Sequence, residues 1–422
     1  FLGTEIMAEG PLTNEGKGSY LAMGRYSTLS IFQELGISIG TDAVPNYGDA
    51  AFKINLPLKN SAGQLSFWGM GGSSNIDIKI SEQTEVVEEA FGEGDRDQYF
   101  NTAMGVVGTT FKKPFSEKTF WKTTIAGSYE HQEANHDFLI RSIDTIFVEG
   151  QPEIRFQTDS IYDLMNYSFD TYRLNGYSSI NHKINPKHII KAGLSFDNYF
   201  INNRDSALNV NHDEFVLRHD FQGHGFLLQP FVQYKWRISD RMDFTAGIHQ
   251  QFFTLSNSSS WAEPRVGWQY RHKKGHVFKA GAGMHSQMQP LYQYTYHRYK
   301  LNGEKELMNK NMDFTRSIHT ALGYEKAFKN SFVFKSEVYF QQLYNIPVDA
   351  FPSAFSLINQ GSGFQRFFPN QLVNEGTGRN YGVEFTVQKY FDKSFFLLMT
   401  ASFFESKYTA SDGIERNTDF NG

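Results

Sequence analysis

The chain has 422 residues, no cysteine, a net charge of −5 and a mean hydropathy of −0.46. The lack of cysteine excludes disulfides and cysteine-bound metals, and the small charge without a long basic run argues against nucleic acid as a partner. The 40 Phe and 22 Tyr dominate the apolar residues, and this composition favours β-strands.

The chain opens on FLGTEIMAEGPL (1–12), which has the pattern of a strand and not that of a signal peptide. No apolar run approaches the ~18 residues that a membrane-spanning helix needs. The last residues, ERNTDFNG, do not resemble an end. We therefore expect both termini to be truncations of a longer protein, and we expect residues 1–422 to form one partial domain.

Strand patterns with a period of two recur along the chain. Apolar and polar residues alternate in KHIIKAGLSFDNYF (187–200), QPFVQYKWRI (229–238) and RMDFTAGIHQQFF (241–253). In NSFVFKSEVYFQQLYN (330–345), Phe332, Phe334 and Phe340 share one face, whereas Lys335 and Glu337 share the other. By this test the sequence predicts roughly sixteen strands, each with an apolar and a polar side.

The predicted connections alternate between short and long. The tight ones are at 184–188, 238–242, 272–276, 326–331 and 391–394. The long ones are at roughly 77–97, 131–165, 200–224, 286–313 and 343–378. This alternation is typical of an up-and-down meander whose two ends face different compartments.

The sequence therefore predicts an all-β fold, a transmembrane antiparallel up-and-down β-barrel with short periplasmic turns and long extracellular loops. The alternative is a soluble antiparallel sheet, such as a propeller or a stacked sandwich, which also alternates apolar and polar residues. Two features favour the membrane barrel: the strands are long, and the polar face carries Gly, Ser, Thr, Asn, His and Gln rather than a general Lys/Glu surface.

Several stretches resemble the β-barrel of TonB-dependent outer-membrane receptors, most of all the branch with an N-terminal carboxypeptidase-regulatory-like domain. They occur in one order over nearly the whole chain, although each alone is a strand or turn that other barrels could imitate. They are FLGTEIMAEGPL (1–12), GSYLAMGRYSTLSIF (18–32), PNYGDAAFKINLPL (45–58), LSFWGMGGSS (65–74), WAEPRVGWQY (261–270), GAGMHSQMQPLYQY (281–294), YFQQLYNIPVDAFPSAFSLINQG (339–361) and GTGRNYGVEFTVQKYF (376–391).

The resemblance implies a barrel of about twenty-two strands that encloses a globular plug. The plug of such receptors precedes the barrel and carries the segment that a TonB-type energy-coupling protein pulls. The chain departs from this plan because the plug and the last strands lie outside its residues. Two unpaired strand edges cannot persist in lipid, so we expect residues 1–422 alone not to form a sealed barrel.

The sequence shows no catalytic constellation, since HExxH, GxSxG and phosphate-loop spacings do not occur. We therefore predict no enzyme activity, no cofactor and no metal site. A lumen-facing, hydrogen-bonded histidine is the favoured interpretation of His249, His285 and His319. The looser group His212, His219 and His224 is better explained as solvated loop residues than as a metal site. Glu263 and Arg265 are predicted to form a charged pair with an architectural role.

Two long loops are unusually aromatic, and they supply the candidate ligand-binding residues. These candidates are Tyr292, Tyr294, Tyr296, His297, Phe364 and Arg366. Rings beside Arg suit flat or anionic ligands. The alternative is that these rings form the upper aromatic girdle or cover the plug.

The resemblance implies active import of a scarce nutrient across the outer membrane of a Gram-negative cell. The substrate classes of the family are iron chelates, cobalamin, glycans and peptides. The partners that the resemblance implies are the TonB-type protein, outer-membrane lipid, the ligand and a surface lipoprotein. A passive porin, an outer-membrane protease or lipase, and a soluble carbohydrate-binding β protein are the rival interpretations.

Overall fold

A computed structural model describes residues 3–13, 17–27, 45–58, 63–83, 93–148, 151–209, 214–256, 258–328, 331–360, 371–392 and 394–421. Nineteen strands form among these residues. They are β1 (Gly3–Pro11), β2 (Ser19–Ser27), β3 (Asn46–Pro57), β4 (Gln64–Ile78), β5 (Arg96–Ser116), β6 (Thr119–Val148), β7 (Gln151–Asn185), β8 (His188–Asn209), β9 (Glu214–Ser239), β10 (Met242–Phe253), β11 (Ser259–Arg271), β12 (His276–Gln287), β13 (His297–Tyr299), β14 (Lys305–Leu307), β15 (Thr315–Ala327), β16 (Phe332–Asp349), β17 (Leu372–Asp392), β18 (Phe395–Thr409) and β19 (Glu415–Asn417). Three of the nineteen, β13, β14 and β19, have 3 residues each, so sixteen longer strands remain, as the sequence predicted.

Helix is confined to a 5-residue segment, Leu291–Thr295, and to the 3₁₀ turns Ile80–Glu82 and Leu357–Asn359 of the described chain. No helix in this part of the protein has the length and apolar character needed to cross a membrane. The chain divides into two compact units. Unit 1 comprises Phe1–Lys113, Thr123–Gly176 and Asp197–Gly225, and unit 2 comprises Pro114–Lys122, Tyr177–Phe196 and Phe226–Gly422.

Each unit is a meander in which strands that follow one another in the chain pair antiparallel. In unit 1, β1 to β5 pair in chain order. In unit 2 the order runs from β9 to β12, then through β15 to β19. The short strands β13 and β14 form a separate hairpin between β12 and β15. The predicted all-β, antiparallel, up-and-down arrangement is confirmed.

The strand registers of unit 2 place the apolar side chains on one face, called here the apolar face. Val338 of β16 lies opposite Leu322 of β15 and Val383 of β17, and Val383 lies opposite Phe403 of β18. Several side chains of this face remain exposed: Val338 is 55% exposed, Leu322 is 66% exposed and Phe403 is 64% exposed. An uncovered apolar surface of this breadth is what contact with hydrocarbon requires.

The aromatic rings on the apolar face of β16 are not enclosed between two layers of the protein. Phe340 is 44% exposed, and Phe332 and Phe334 are only half-buried. Lys335 and Glu337, on the opposite face of the same strand, are exposed as well. A soluble sandwich would bury one of these faces, so the distribution favours a sheet with lipid on one side and water on the other.

The predicted tight connections are confirmed, but two of the predicted long loops are wrong. β6 ends at Val148 and β7 begins at Gln151, so most of 131–165 is strand. β8 ends at Asn209 and β9 begins at Glu214, so most of 200–224 is strand too. These strands carry polar residues on both faces at these positions, and the period-two signal disappears although the backbone pairing continues.

Candidate functional site

The connection between β12 and β15, residues 288–314 and called here the rim loop, is a folded structure. Its short helix Leu291–Thr295 places Tyr294 in the interior, where the side chain has no exposed surface. The Tyr294 ring meets the Phe253 ring edge-on with centroids 5.2 Å apart. Its hydroxyl oxygen accepts a hydrogen bond from the backbone N–H of Gln289 at 3.0 Å. Burial raises the pKa of Tyr294, so the phenol stays neutral.

The C-terminal half of the rim loop is tied to β17 through Asn309. The Asn309 side-chain amide donates to the carbonyl of Gln293 at 3.0 Å, and its Oδ1 accepts from the backbone N–H of Leu372 at 2.9 Å. Asn309 is 1% exposed, so both bonds are shielded from water. A loop whose polar groups are satisfied internally holds one conformation rather than many.

Asp313 joins the end of the rim loop to β16 and β17. Its backbone N–H donates to Oδ1 of Asn374 at 2.7 Å, and its carboxylate accepts from Arg316 at 3.0 Å and from Asn345 at 3.2 Å. Asn345 has a φ of 54° at a register shift in the β16–β17 pairing. A bulge of this kind redirects a side chain out of the strand pattern, and asparagine tolerates the left-handed backbone.

The polar face of unit 2 carries a buried carboxylate, Glu263 of β11, which is 2% exposed. Its oxygens lie 2.9 Å from Nδ1 of His249, 3.0 Å from Nε2 of Gln251 and 2.8 Å from Nη2 of Arg265. Three donors from two neighbouring strands therefore hold one charge. The predicted Glu263–Arg265 pair is present, and its contacts are within the wall itself.

Hydrogen-bonded polar side chains continue across the strands that follow. The rings of His285 and His319 stand 4.6 Å apart, and His319 is 3.3 Å from Gln341. Gln341 accepts from Asn380 at 3.0 Å, and Ser406 donates to Asn380 at 2.8 Å. This polar row, from Glu263 to Ser406, spans β11 to β18 on the face opposite the exposed apolar side chains.

Comparison with known proteins identifies the family to which this sheet belongs. The family model described as TonB dependent receptor-like, beta-barrel matches residues 46–422. The chain belongs to the TonB-dependent receptor β-barrel family. The predicted barrel fold, family and outer-membrane location of the receptor are thereby confirmed, and the polar row lies on the face that lines the lumen of such a barrel.

Solved structures agree with this fold at low sequence identity. The siderophore receptor PirA from Pseudomonas aeruginosa is 12% identical with a TM-score of 0.61, and the alignment covers 96% of this receptor chain and 63% of PirA. The ferric-catecholate import receptor Fiu from K12 E. coli is 9% identical with a TM-score of 0.64, covering 100% of this chain and 66% of Fiu. The RagAB peptide transporter is 11% identical with a TM-score of 0.61, covering 100% and 51%.

The receptor chain thus spans between one half and two thirds of the length of these structures. A sequence search of curated proteins returned no match. The family and these neighbours are receptors and transporters, which is the class of function that the sequence predicted.

The structure places the candidate ligand residues of the receptor in three different situations. Tyr294 is wholly buried and His297 is 5% exposed, so both serve the packing of the rim loop. Tyr292 and Tyr296 are half-buried and keep part of their rings at the surface. Phe364 and Arg366 lie outside the described residues.

The predicted roles of His249, His285 and His319 fit the polar face of the receptor. The prediction of a solvated loop position is wrong for His219, which is fully buried within β9. His249 and His319 are both hydrogen-bonded there, and His285 contacts the His319 ring. Within the described ranges, no group of three or more His, Asp or Glu side chains is arranged to hold a metal ion. Sequence reasoning missed Asp313, Asn345 and Asn374, because ordinary loop polar residues give no signal until the bulge in β16 brings them together.

Changing Glu263 to glutamine is expected to lower the free energy of unfolding of the receptor by about 1–3 kcal/mol. The substitution removes the charge that three donors hold in a water-poor site. Chemical unfolding in lipid vesicles measures the effect. Glu325→Gln is the matched control, because Glu325 lies 2.9 Å from the exposed Lys279 amine, and a surface pair contributes about 0–1 kcal/mol. Equal losses in both variants would show that Glu263 is an ordinary wall residue.

Proposed function

We propose that this chain forms the barrel wall and ligand vestibule of a receptor that actively imports a scarce nutrient. In this proposal a TonB-type protein supplies the energy through a plug, and a surface lipoprotein is a possible further partner. Family membership supports the proposal most directly. The polar lumen-facing row and the internally bonded rim loop support it too, since a vestibule needs a wet wall and a fixed edge.

The proposed substrate is a ligand with planar groups that stack on aromatic rings and polar groups that form hydrogen bonds. PirA is a siderophore receptor, Fiu is a ferric-catecholate receptor and RagAB transports peptides. Siderophore and peptide ligands both offer planar groups that stack on rings and polar groups that bond to side chains. Tyr292 and Tyr296 are the proposed contacts in the described rim loop, together with Phe364 and Arg366. No step makes or breaks a covalent bond, so no enzyme activity is proposed.

Energy dependence tests the import proposal. In cells that carry the full-length protein, uptake of the nutrient should stop when the energy-coupling protein is deleted or the proton gradient is collapsed. A passive porin would continue to admit the solute down its gradient. Uptake that persists at the same initial rate under both treatments would refute active import and favour the porin.

Replacing Tyr292 and Tyr296 together with alanine is expected to lower nutrient uptake at least tenfold while the receptor still assembles, because loss of two stacking rings weakens binding. Ligand-binding titration and uptake rates measure the effect. Tyr390→Ala is the control, since Tyr390 is 53% exposed near the tight β17–β18 turn, away from the rim loop. Unchanged uptake in the double variant would remove these two residues from the ligand site.

A further inference from the structure

One face of unit 1, called here the outer face, carries an apolar groove. Phe52 lies opposite Gly69, and Gly69 lies opposite Val107, so strands β3, β4 and β5 contribute to the same face. Phe52 is 41% exposed and Val107 is 62% exposed. As in unit 2, exposed apolar side chains on a strand of this family mark the side that meets lipid.

The groove has a volume of about 880 Å³ and a floor of small residues. The floor is made by Ala22, Ala50, Gly69, Gly71, Gly105 and Gly127. Tyr172 and Phe200, which are 54% and 49% exposed, stand at its edge. A Cβ atom added at Gly105 or Gly127 would meet nothing within 4 Å, so the groove is open space and not an effect of tight backbone packing.

A polar cavity of about 670 Å³ lies further along the same strands. Asp137, Asp163 and Arg204 line it, and none of the three makes a hydrogen bond or an ion pair with another described residue. Oδ1 of Asn135 is buried there and has no hydrogen-bond partner among the residues that the structure describes. Tyr99 and Phe215 also line the cavity, together with Met165, Asn166 and Ser206. Polar groups without hydrogen-bond partners around a cavity can be satisfied by a ligand that supplies both donors and acceptors.

The two cavities are aligned along shared strands. On β5 the groove includes Gly105 and the polar cavity includes Tyr99, and on β8 the corresponding residues are Phe200 and Arg204. At ~3.3 Å per residue, these offsets correspond to roughly 13–20 Å. That is a suitable distance between the acyl chains and the headgroup of one lipid, given a hydrocarbon core of about 30 Å for two leaflets.

We propose that the outer face of unit 1 binds a glycolipid, with an acyl chain in the apolar groove and a hydroxyl-rich headgroup in the polar cavity. Ionised carboxylates accept hydrogen bonds only and the guanidinium donates only, whereas sugar hydroxyls do both. An anionic phosphate headgroup fits less well, because Asp137 and Asp163 provide two negative charges against the single positive charge of Arg204. A sugar face can also stack on Tyr99 or Phe215.

The binding test uses the full-length receptor in a detergent without a sugar headgroup. Three probes are titrated and followed by calorimetry and native mass spectrometry: digalactosyl diacylglycerol, phosphatidylcholine with the same acyl chains, and the free digalactose headgroup. We expect saturable binding of one glycolipid per chain, weaker binding of the free disaccharide, and at least tenfold weaker binding of phosphatidylcholine. Equal affinity for both lipids would overturn the proposal.

Two kinds of variant separate headgroup from acyl recognition. Asp137→Asn combined with Asp163→Asn should weaken both the glycolipid and the free disaccharide about tenfold or more, since hydrogen bonds to charged groups are lost. Gly127→Leu, or Gly105→Leu if the first variant assembles poorly, should fill the groove and weaken only the glycolipid. If the groove variants bind the glycolipid as tightly as the unmodified protein does, the groove does not hold an acyl chain and the proposal of a lipid-linked sugar is wrong.

Matched controls accompany each variant. Asp144→Asn changes an exposed carboxylate of β6 outside the polar cavity. Gly267→Leu adds the same side chain at a glycine of unit 2 that also has open space around it. Both controls should bind the glycolipid with unchanged affinity. A loss as large as that of the test variants would mean that the sites do not recognise the lipid.

Discussion

Replacing Val338 with lysine is expected to lower the free energy of unfolding by about 2–4 kcal/mol, because the ammonium group would face hydrocarbon near the middle of β16. Val338 is 55% exposed on the apolar face, between Leu322 and Val383 of the neighbouring strands. No carboxylate from these two partners can neutralise the new charge, and the lysine must bend toward the membrane surface or remain poorly solvated.

The control for this prediction is the residue next in sequence. Glu337→Lys introduces the same side chain one position earlier, on the polar face, where Glu384 lies directly opposite on β17. Its effect should stay below about 1 kcal/mol, as for an exposed charge pair. The free energy of unfolding of both variants is measured by guanidinium titration in phospholipid vesicles. A larger loss at Glu337 than at Val338 would reverse the assignment of the two faces and with it the orientation of the entire sheet.

The sequence predicts the membrane-facing part of the fold well because hydrocarbon imposes a rule on every second residue. Phe340 and Lys335 are separated to opposite faces by pattern alone, and the structure keeps them so. The same rule explains the failure at 131–165. Here β6 carries polar residues on both faces, with His131 and Glu133 on one and Gln132 and His136 on the other. The alternation is therefore lost, and a paired strand has the composition of a loop.

The candidate site shows a different limit. The aromatic residues of the rim loop were found from composition, but composition cannot distinguish a ring that contacts a ligand from a ring that anchors the loop. Tyr294 and Tyr296 are two residues apart, and only the turn of the helix at Leu291–Thr295 buries the first and leaves the second partly exposed. The Asp313 contacts depend on the positive φ of Asn345 at a bulge, and period-two patterns do not reveal bulges.

Tyr294→Ala is expected to open the rim loop, with a local cost of about 3–5 kcal/mol for removing a fully buried aromatic ring. The loss includes the edge-on contact with Phe253 and the acceptor of the Gln289 N–H group. Tyr294→Phe keeps the ring and removes only the acceptor. It should cost about 1–3 kcal/mol, the usual penalty for leaving a buried donor unpaired.

Amide hydrogen exchange measures this opening residue by residue. In Tyr294→Ala, the amides of residues 288–314 should lose protection while those of β15 and β16 keep theirs, because the sheet is held by its own strand pairing. Tyr299→Ala is the control within the same loop, since Tyr299 is 53% exposed on the β13–β14 hairpin and its removal should leave protection unchanged. If Tyr294→Ala exchanged like the unmodified protein, the contacts of Asn309 and Asp313 would have to hold the loop alone. The vestibule edge would then depend on its polar cross-links rather than on the buried Tyr294 ring.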